Sequence, residues 1–128
     1  SDITGLEYCK GVTVLYLGYN KITDITPLKK LKNLKTLNLI NQKIDLGATT
    51  INNNTVVVEN NLVDIDCNNI APINSKEYSY DKATNTVKFD NVTSEGQKSY
   101  QFKQKISYGS YYTTYFSGTV TLDATQNN

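Results

Sequence analysis

The sequence predicts a mainly β protein, in which a short solenoid of two 22-residue repeats continues into an antiparallel β-sandwich. Three observations support this fold class. An apolar pattern recurs after 22 residues, each copy contains a Leu-x-Leu pair, and near residue 46 Leu gives way to Asn, Thr, Tyr and Val. With 128 residues and 38% hydrophobic content, the chain is long and apolar enough to bury a core.

The repeat is visible when residues 2–23 are aligned with residues 24–45. Seven apolar positions recur without a gap: Ile3, Leu6, Cys9, Val12, Leu15, Leu17 and Ile22, then Ile25, Leu28, Leu31, Leu34, Leu37, Leu39 and Ile44. The Leu-x-Leu pairs predict short strands whose alternate side chains point inward. The three-residue spacing before each pair favours a 3₁₀-like return segment. Each copy therefore has the pattern of a leucine-rich repeat.

A single amphipathic helix over residues 28–39, with a lysine-rich face, is the competing interpretation. We favour the repeats, because a helix does not explain the 22-residue recurrence. Solenoids usually need at least about three repeats and capped ends. We therefore expect the second half of the chain to cap these two repeats.

Short β-prone runs follow the repeats. Residues 55–58 and 86–89 are rich in Val, Thr and Phe, and residues 99–107 and 116–122 alternate between apolar and polar side chains. Turn-forming sequences lie at 81–85, 94–96 and 108–110. Several short strands separated by turns indicate an antiparallel sandwich.

The sequence resembles the internalins, surface proteins of Gram-positive bacteria. The resemblance rests on Asp24-Ile-Thr-Pro-Leu28 and on the Leu-x-Leu-x-x-Asn-x-Ile motif that begins at Leu15. In the second half it rests on residues 80–87 and 116–121. It implies two leucine-rich repeats over 1–45 and an Ig-like, repeat-adjacent β-sandwich domain over 46–128, which share one core.

One position departs from the family pattern. Asn20 occupies the position where the family's Asn bonds to backbone between successive coils, but the second repeat has Gln42 there. We expect this substitution to weaken the Asn ladder at the end of the array.

The residue inventory argues against catalysis and cofactor binding. The chain has no His, the commonest general base and nitrogen metal ligand. All 13 basic residues are Lys and the net charge is +1, which argues against nucleic-acid recognition. No apolar run is long enough to cross a bilayer. We predict a non-enzymatic protein without catalytic residues, metal or other cofactor.

Three smaller features have alternative interpretations. The Asp64-x-Asp66-x-Asn68 stretch starts like a calcium loop but lacks its later Gly and Glu, so we expect a polar turn. Cys9 is expected to be buried and Cys67 exposed, with a Cys9–Cys67 disulfide as the alternative. The cluster of Lys29, Lys30, Lys32 and Lys35 is expected to be a solvated convex face rather than an anionic contact.

The candidate binding residues flank the inward leucines of the predicted strands. Such residues point outward on the concave face of leucine-rich repeats. The candidates in this sequence are Val14, Tyr16, Gly18, Tyr19, Thr36, Asn38 and Ile40. Exposed aromatic and aliphatic side chains are typical of protein-binding surfaces. The competing interpretation is that Val14 and Ile40 only cover neighbouring coils. A second candidate patch near an expected hairpin tip comprises Tyr108, Tyr111, Tyr112 and Tyr115.

The internalin resemblance implies a secreted or cell-surface recognition module, associated with the bacterial cell wall, that binds a protein on a host cell or bacterial surface through the concave face. A structural capping or spacer module of a larger adhesin is the alternative. A carbohydrate-binding sandwich is a third hypothesis, disfavoured because the chain has no Trp. The sequence leaves the identity of the partner and the oligomeric state open.

Overall fold

The computed structural model describes residues 3–110 and 112–126. Two 3₁₀ segments, Leu6–Tyr8 and Thr26–Lys30, and seven strands follow one another along the chain. The strands are β1 (Val14–Tyr16), β2 (Thr36–Thr50), β3 (Val56–Glu59), β4 (Ser79–Asp81), β5 (Thr86–Phe89), β6 (Gly96–Tyr108) and β7 (Tyr112–Thr125). No α-helix occurs in the described residues, so the protein is mainly β as predicted and the single-helix interpretation of residues 28–39 is wrong.

The two repeats lie side by side, and equivalent positions of the repeats pair. Strand β1 is parallel to the start of β2, with Val14 opposite Thr36, Leu15 opposite Leu37 and Tyr16 opposite Asn38. Each repeat has a 3₁₀ segment before its strand, as the three-residue spacing predicts. We call residues 3–23 coil 1 and residues 24–45 coil 2.

Strand β2 joins the repeats to the second half of the chain. Its 15 residues pair with β1 at one end and run parallel to β7, which is antiparallel to β6. The resulting sheet has the order β1-β2-β7-β6. The predicted sandwich is therefore not wholly antiparallel, because β2 and β7 are parallel. The division predicted between residues 45 and 46 lies inside β2 and stays a prediction.

A second sheet, of order β3-β5-β4, is antiparallel throughout. The Tyr78 ring lies between the two sheets, 5.6 Å from the ring of Phe89 on β5 and 6.0 Å from that of Tyr100 on β6. The apolar residues of both sheets and of coil 2 belong to one buried cluster. The repeats and the sheets therefore share one core.

A buried polar network also joins the two sheets. Asn60 donates to the backbone carbonyl of Ile70 at 2.7 Å and accepts from the Tyr100 hydroxyl at 3.2 Å. Asn85 donates to the Asn60 carbonyl at 2.7 Å. Burial raises the pKa of the Tyr100 hydroxyl, and nearby Tyr78 and Tyr80 add to the shift. The Tyr100 hydroxyl therefore keeps its proton, and remains a hydrogen-bond donor, at pH values above those at which a tyrosine ordinarily ionises.

The two coils differ in burial. All seven apolar positions of coil 2 are buried, whereas Leu6, Val12, Leu15 and Leu17 of coil 1 are only half-buried. Cys9, at the equivalent of buried Leu31, is exposed, so the prediction of a buried thiol is wrong. The physical reason is that no described part of the chain covers that side of coil 1. Cys67 is exposed as predicted, and both thiols are free.

Gln42 has the opposite role to the one predicted for it. Its side-chain carbonyl accepts from the Ile22 N–H at 3.0 Å, and its amide donates to the carbonyls of Leu17 at 2.8 Å and Leu39 at 3.2 Å. The side chain is fully buried. The Asn20 side-chain amide donates within its own turn, to the carbonyls of Leu17 and Gly18, and it is the Asn20 backbone carbonyl that accepts from coil 2, from the Lys43 N–H at 2.7 Å. Gln42 therefore connects coil 1 to coil 2, and the prediction that it weakens the ladder is wrong.

The β6–β7 hairpin covers coil 2. The Tyr108 hydroxyl donates to the carbonyl of Lys35 at 3.0 Å, and the Ser110 hydroxyl donates to that of Lys32 at 3.3 Å. Gly109, at a φ of +59°, lies so close to the Leu34 carbonyl that a Cβ would overlap it. The expected cap for the repeats is thus the tip of this hairpin.

A second contact with coil 2 comes from the loop after β3. Val63 exchanges backbone hydrogen bonds with Thr23 and Ile25, and Lys29 lies 3.2 Å from the Asp66 carboxylate. The Asp64 carboxylate accepts from the N–H groups of Asp66 and Asn68, both at 2.9 Å. This is the polar turn that the sequence predicts, and it binds its own backbone.

Replacing Gln42 with Met keeps the volume but removes three hydrogen bonds from a buried site. We expect the free energy of unfolding to fall by about 2–4 kcal/mol, because the Ile22 N–H and the Leu17 and Leu39 carbonyls lose a buried partner. Urea unfolding followed by circular dichroism measures the change. The matched control is Gln104→Met on the exposed surface of β6, expected to shift stability by less than about 0.5 kcal/mol. Equal stability of the two variants would contradict the role of Gln42.

Candidate partner-binding site

The outward residues of β1 and β2 form a strip that is exposed except at half-buried Asn38. Leu37 and Leu39 point inward and are buried, so Thr36, Asn38 and Ile40 point outward, as the alternation of a strand requires. On β1, Val14 is exposed and Tyr16 is 71% exposed. Val14 and Ile40 are both exposed, which argues against the interpretation that they serve only to cover neighbouring coils.

Gly18 and Tyr19 shape the turn that follows β1. A Cβ on Gly18 would come 2.9 Å from the Asn38 side-chain oxygen and 3.2 Å from the Ile40 carbonyl. The same Asn38 oxygen accepts from the Ile40 N–H at 3.0 Å. Gly18 therefore allows close approach of the turn to β2 and offers no side chain to a partner.

Tyr19 is held in an uncommon backbone conformation. Its φ is +60°, its N–H donates to the Ile40 carbonyl at 3.1 Å, and its side chain is 72% exposed. A bulky residue in the left-handed region costs about 1–2 kcal/mol, and such strain concentrates at functional sites. The turn thus presents an aromatic ring to solvent at an energetic cost.

The strip continues onto the other half of the protein. Leu39 pairs with Phe116, both inward, so Asn38, Ile40, Tyr115 and Ser117 point to the opposite, outward side of the sheet. The Asn41 N–H donates to the Ser117 hydroxyl at 3.2 Å. On β6, Lys105 lies opposite Tyr115 and Lys103 opposite Ser117. The four strands therefore share one outward face, which we call the outer sheet face.

An aromatic ring and a cation meet on the β6–β7 side of this face. The Lys103 ammonium lies over the Tyr115 ring, 4.7 Å from its centroid. This arrangement is a cation–π contact, and it holds both side chains over the sheet. The outer sheet face thus combines exposed tyrosines with lysines.

The predicted tyrosine patch is not one surface. Tyr108 is 7% exposed and stacks on Tyr112 at 5.8 Å between centroids, so its prediction as a surface residue is wrong. The hairpin pairs Tyr108 with Tyr112 on the side of the sheet that Phe116 faces, where Tyr112 is still 42% exposed, whereas the two-residue period puts Tyr115 on the outer sheet face. Tyr111 lies outside the described residues. Of the three tyrosines of this patch that the structure describes, Tyr115 alone joins the strip formed by β1 and β2.

Two family models match the sequence. Residues 10–56 match the model described as Leucine Rich repeats (2 copies), and residues 42–123 match that described as Internalin J, Immunoglobulin-like domain. The chain belongs to the internalin J Ig-like domain family. The internalin-like combination of leucine-rich repeats with an Ig-like domain is thereby confirmed. The two matches overlap over residues 42–56, most of which belong to β2.

Solved structures share this fold. The functional domain of InlJ from Listeria monocytogenes, which includes a cysteine ladder, matches with a TM-score of 0.68 and 20% identity over 94% of this chain and 26% of that one. The CBM51-2 and INT domains of Clostridium perfringens ZmpB match with a TM-score of 0.62, and their complex with GlcNAc matches with 0.60. Both have 23% identity over 96% of this chain and 27% of theirs. No curated protein sequence matches.

Sequence reasoning missed the part of the outer sheet face that β6 and β7 contribute. The alternation of residues 99–107 and 116–122 marked Lys103, Lys105 and Ser117 as outward. The sequence does not show that β7 pairs with β2, because that contact joins residues about 77 positions apart. The sequence pattern identified the outward side chains of β6 and β7, but it did not show that they lie on the same sheet as the repeat strands.

Other candidate sites gain little support. Within residues 3–110 and 112–126, no group of three or more His, Cys, Asp or Glu side chains could hold a metal ion. No helix in that part of the chain has the length and apolarity to span a membrane. Lys29, Lys30, Lys32 and Lys35 are all exposed, as the predicted solvated face requires.

Relieving the strain at Tyr19 should stabilise the protein. We expect Tyr19→Asn to raise the free energy of unfolding by about 1 kcal/mol, since Asn tolerates the left-handed conformation and little buried surface is lost. Tyr8→Asn is the matched control at an exposed tyrosine without positive φ, expected to change stability by less than about 0.5 kcal/mol. Thermal unfolding compares the two. A loss of stability in Tyr19→Asn would show that the ring makes stabilising contacts instead.

Proposed function

We propose that this chain is a non-enzymatic recognition module, which binds a protein on a host-cell or bacterial surface through the concave face of its leucine-rich repeats. One observation carries the proposal: Tyr16 stands 71% exposed at the end of β1, opposite Asn38 of β2, and Val14 and Ile40 on the same two strands are exposed as well. Large aromatic side chains contribute strongly to protein interfaces.

The size of the outer sheet face supports the same proposal. Two short strands offer only part of a standard interface, which buries about 800 Å² on each partner. Strands β7 and β6 widen the face to four strands, since they belong to the same sheet. Tyr115 and Ser117 then lie beside the repeat residues and enlarge the surface that a partner could contact.

In this proposal the two coils form a short solenoid, and residues 46–128 cap and support it. Membership in the internalin J family and similarity to bacterial InlJ and ZmpB support a secreted or cell-surface location on a Gram-positive cell wall. The chain spans 26–27% of the length of those structures.

A structural role is the second candidate. The hairpin contacts from Tyr108 and Ser110 to coil 2 favour a capping or spacer module in a larger adhesin, with no ligand of its own. This role would leave the outer sheet face without a partner. The two candidates therefore differ in what substitutions on that face do to binding.

Capture of surface proteins tests the proposal. Immobilised wild type, the Tyr16→Ala/Asn38→Ala double variant and the Tyr8→Ala control are incubated with host-cell and bacterial surface extracts, and the retained proteins are identified by mass spectrometry. We expect a protein that wild type and control retain equally, with affinity about tenfold or more lower for the double variant, because central aromatic residues dominate interfaces. Retention of the same proteins by wild type and double variant, or of none by either, would reject the proposed site.

A further inference from the structure

Strand β6 is the longest edge strand that the structure describes. In the order β1-β2-β7-β6, one side of β6 has no neighbouring strand among the described residues. The other edge strands, β1, β3 and β4, have three or four residues, whereas β6 has 13. The register of β6 with β7 runs from Gly96 to Tyr108 without a shift, so no bulge interrupts this edge. Proteins usually shorten or interrupt such edges, because free backbone groups can pair with another chain.

Alternate residues of β6 direct their backbone groups away from β7. In an antiparallel pair, residues that bond to the neighbouring strand alternate with residues that do not. The Gln101 carbonyl accepts from the Ile73 N–H at 2.8 Å, so Gln101 is of the second kind. The same two-residue period directs the N–H and carbonyl groups of Lys103, Lys105 and Ser107 away from β7. We call these three residues the free edge of β6.

The backbone of the free edge has little to bond to in the described part of the chain. The loop after β3 meets this side of β6 through Ile73, at Gln101. Beyond that point, among residues 3–110 and 112–126, one hydrogen bond reaches these backbone groups. The Gln104 side-chain amide donates to the Lys105 carbonyl at 3.4 Å, which is near the upper limit for a hydrogen bond. Residues 103–105 and 107 are exposed, so solvent reaches the whole free edge.

An extended polypeptide is the ligand that matches these backbone groups. Outward N–H and carbonyl groups recur at every second residue, about 6.8 Å apart along the strand. A strand laid beside β6 presents its own acceptors and donors with the same spacing, and each pairing adds main-chain hydrogen bonds.

The charge of Lys105 selects among extended segments. Antiparallel pairing of the whole free edge with its equivalent in a second copy would place Lys105 opposite Lys105, and like charges in directly opposite positions are destabilising. An acidic residue in that position would instead attract Lys105 across the strands. The ion pairs of the described residues involve Lys29 and Lys88, not Lys105. The Lys103 ammonium is already placed over the Tyr115 ring, so this selection rests on Lys105 alone.

We propose that the free edge of β6 pairs with an extended segment of a protein partner, which adds a strand to the sheet and carries an Asp or Glu opposite Lys105. In strand addition of this kind, main-chain hydrogen bonds supply affinity and alternate side chains supply specificity. The inference rests on the proposed function in taking the ligand to be a protein. It places a second contact at the edge of the sheet opposite β1.

Selection from a phage-displayed library of random peptides of about 12 residues tests the free edge. The library is depleted on Lys105→Pro and then selected on wild type. Proline removes the outward N–H and leaves the β7 ladder intact, because that N–H does not bond to β7. We expect recurrent β-prone peptides with an acidic residue at a fixed position, which bind wild type about tenfold or more tightly than Lys105→Pro. Lys105→Thr, which keeps the N–H and removes the charge, should weaken binding about two- to fivefold.

Backbone measurements show whether a selected peptide binds as a strand. Circular dichroism should show that Lys105→Pro stays folded, whereas the control Gln104→Pro loses stability, because the Gln104 N–H faces β7. N-methylation of the peptide amides that face β6 should abolish binding to wild type, a test that needs no protein variant. At saturation, the peptide should slow hydrogen exchange at Lys103, Lys105 and Ser107 about tenfold or more and leave Ile106 unchanged.

Three results would overturn the proposal. The first is a selection that yields no peptide, or yields peptides that bind wild type and Lys105→Pro equally. The second is binding that survives N-methylation or leaves exchange at Lys103, Lys105 and Ser107 unchanged, since the peptide would then contact side chains only. The third is slower exchange at these amides as the concentration of peptide-free protein rises, which would assign the free edge to a second copy.

The two proposals fail separately. Tyr16→Ala should leave the affinity for a selected peptide within about twofold, because Tyr16 lies on β1 at the opposite edge of the sheet. If capture of surface proteins is insensitive to Tyr16 and Asn38 while selected peptides still protect the free edge, the proposed function fails. If capture depends on Tyr16 while no peptide pairs with β6, strand addition fails and the proposed function stands.

Discussion

The structure depends on the pairing of β2 with β7. Strand β2 begins as the strand of coil 2 and continues to Thr50, so a single strand forms part of both halves of the protein. The pairing is parallel and is interrupted between Leu39 and Gln42 and between Asp45 and Ala48. Gly118 lies where a Cβ would overlap the Gln42 carbonyl, and its small size permits the close approach of the two strands.

The first interruption explains how the two halves fit together. Asn41 has a φ of +59°, and this turn of the backbone directs Gln42 inward, where it bonds to both coils. At that point the second repeat changes from a coil into a sandwich strand. The longer side chain of Gln42 reaches the backbone of coil 1, whereas the shorter Asn20 side-chain amide donates within its own turn. The same pairing carries the outer sheet face from the repeats onto β7 and β6.

Much of the repeat half followed from sequence, because its signal is local and periodic. The 22-residue alignment matches Val14 with Thr36, which pair in the structure, and strand alternation predicted which residues point outward. Contacts between distant segments were not predictable in this way. The burial of Tyr108 depends on the register of a hairpin, and the exposure of Cys9 depends on which side of coil 1 is covered. Neither property is encoded in a short pattern.

The family match and the structure agree on where the two halves meet. The repeat model and the Ig-like model overlap over residues 42–56, and this stretch contains Gln42 and the later part of β2. We therefore expect that coil 2 does not stay folded without the β2–β7 pairing. Loss of the β2–β7 pairing should therefore destabilise the whole buried cluster, not only the residues next to these two strands.

Native-state amide exchange in the Gly118→Ala variant tests this claim most directly. The Leu31 N–H, which bonds to Leu28 at 3.1 Å, reports on coil 2, and the Ile51 N–H, which bonds to Thr125 at 2.8 Å, reports on the end of the β2–β7 pair. If β2–β7 pairing holds both halves together, the opening free energies of both amides fall by the same amount relative to wild type. Unchanged protection at Leu31 with lowered protection at Ile51 would contradict the account, since coil 2 would then be stable by itself.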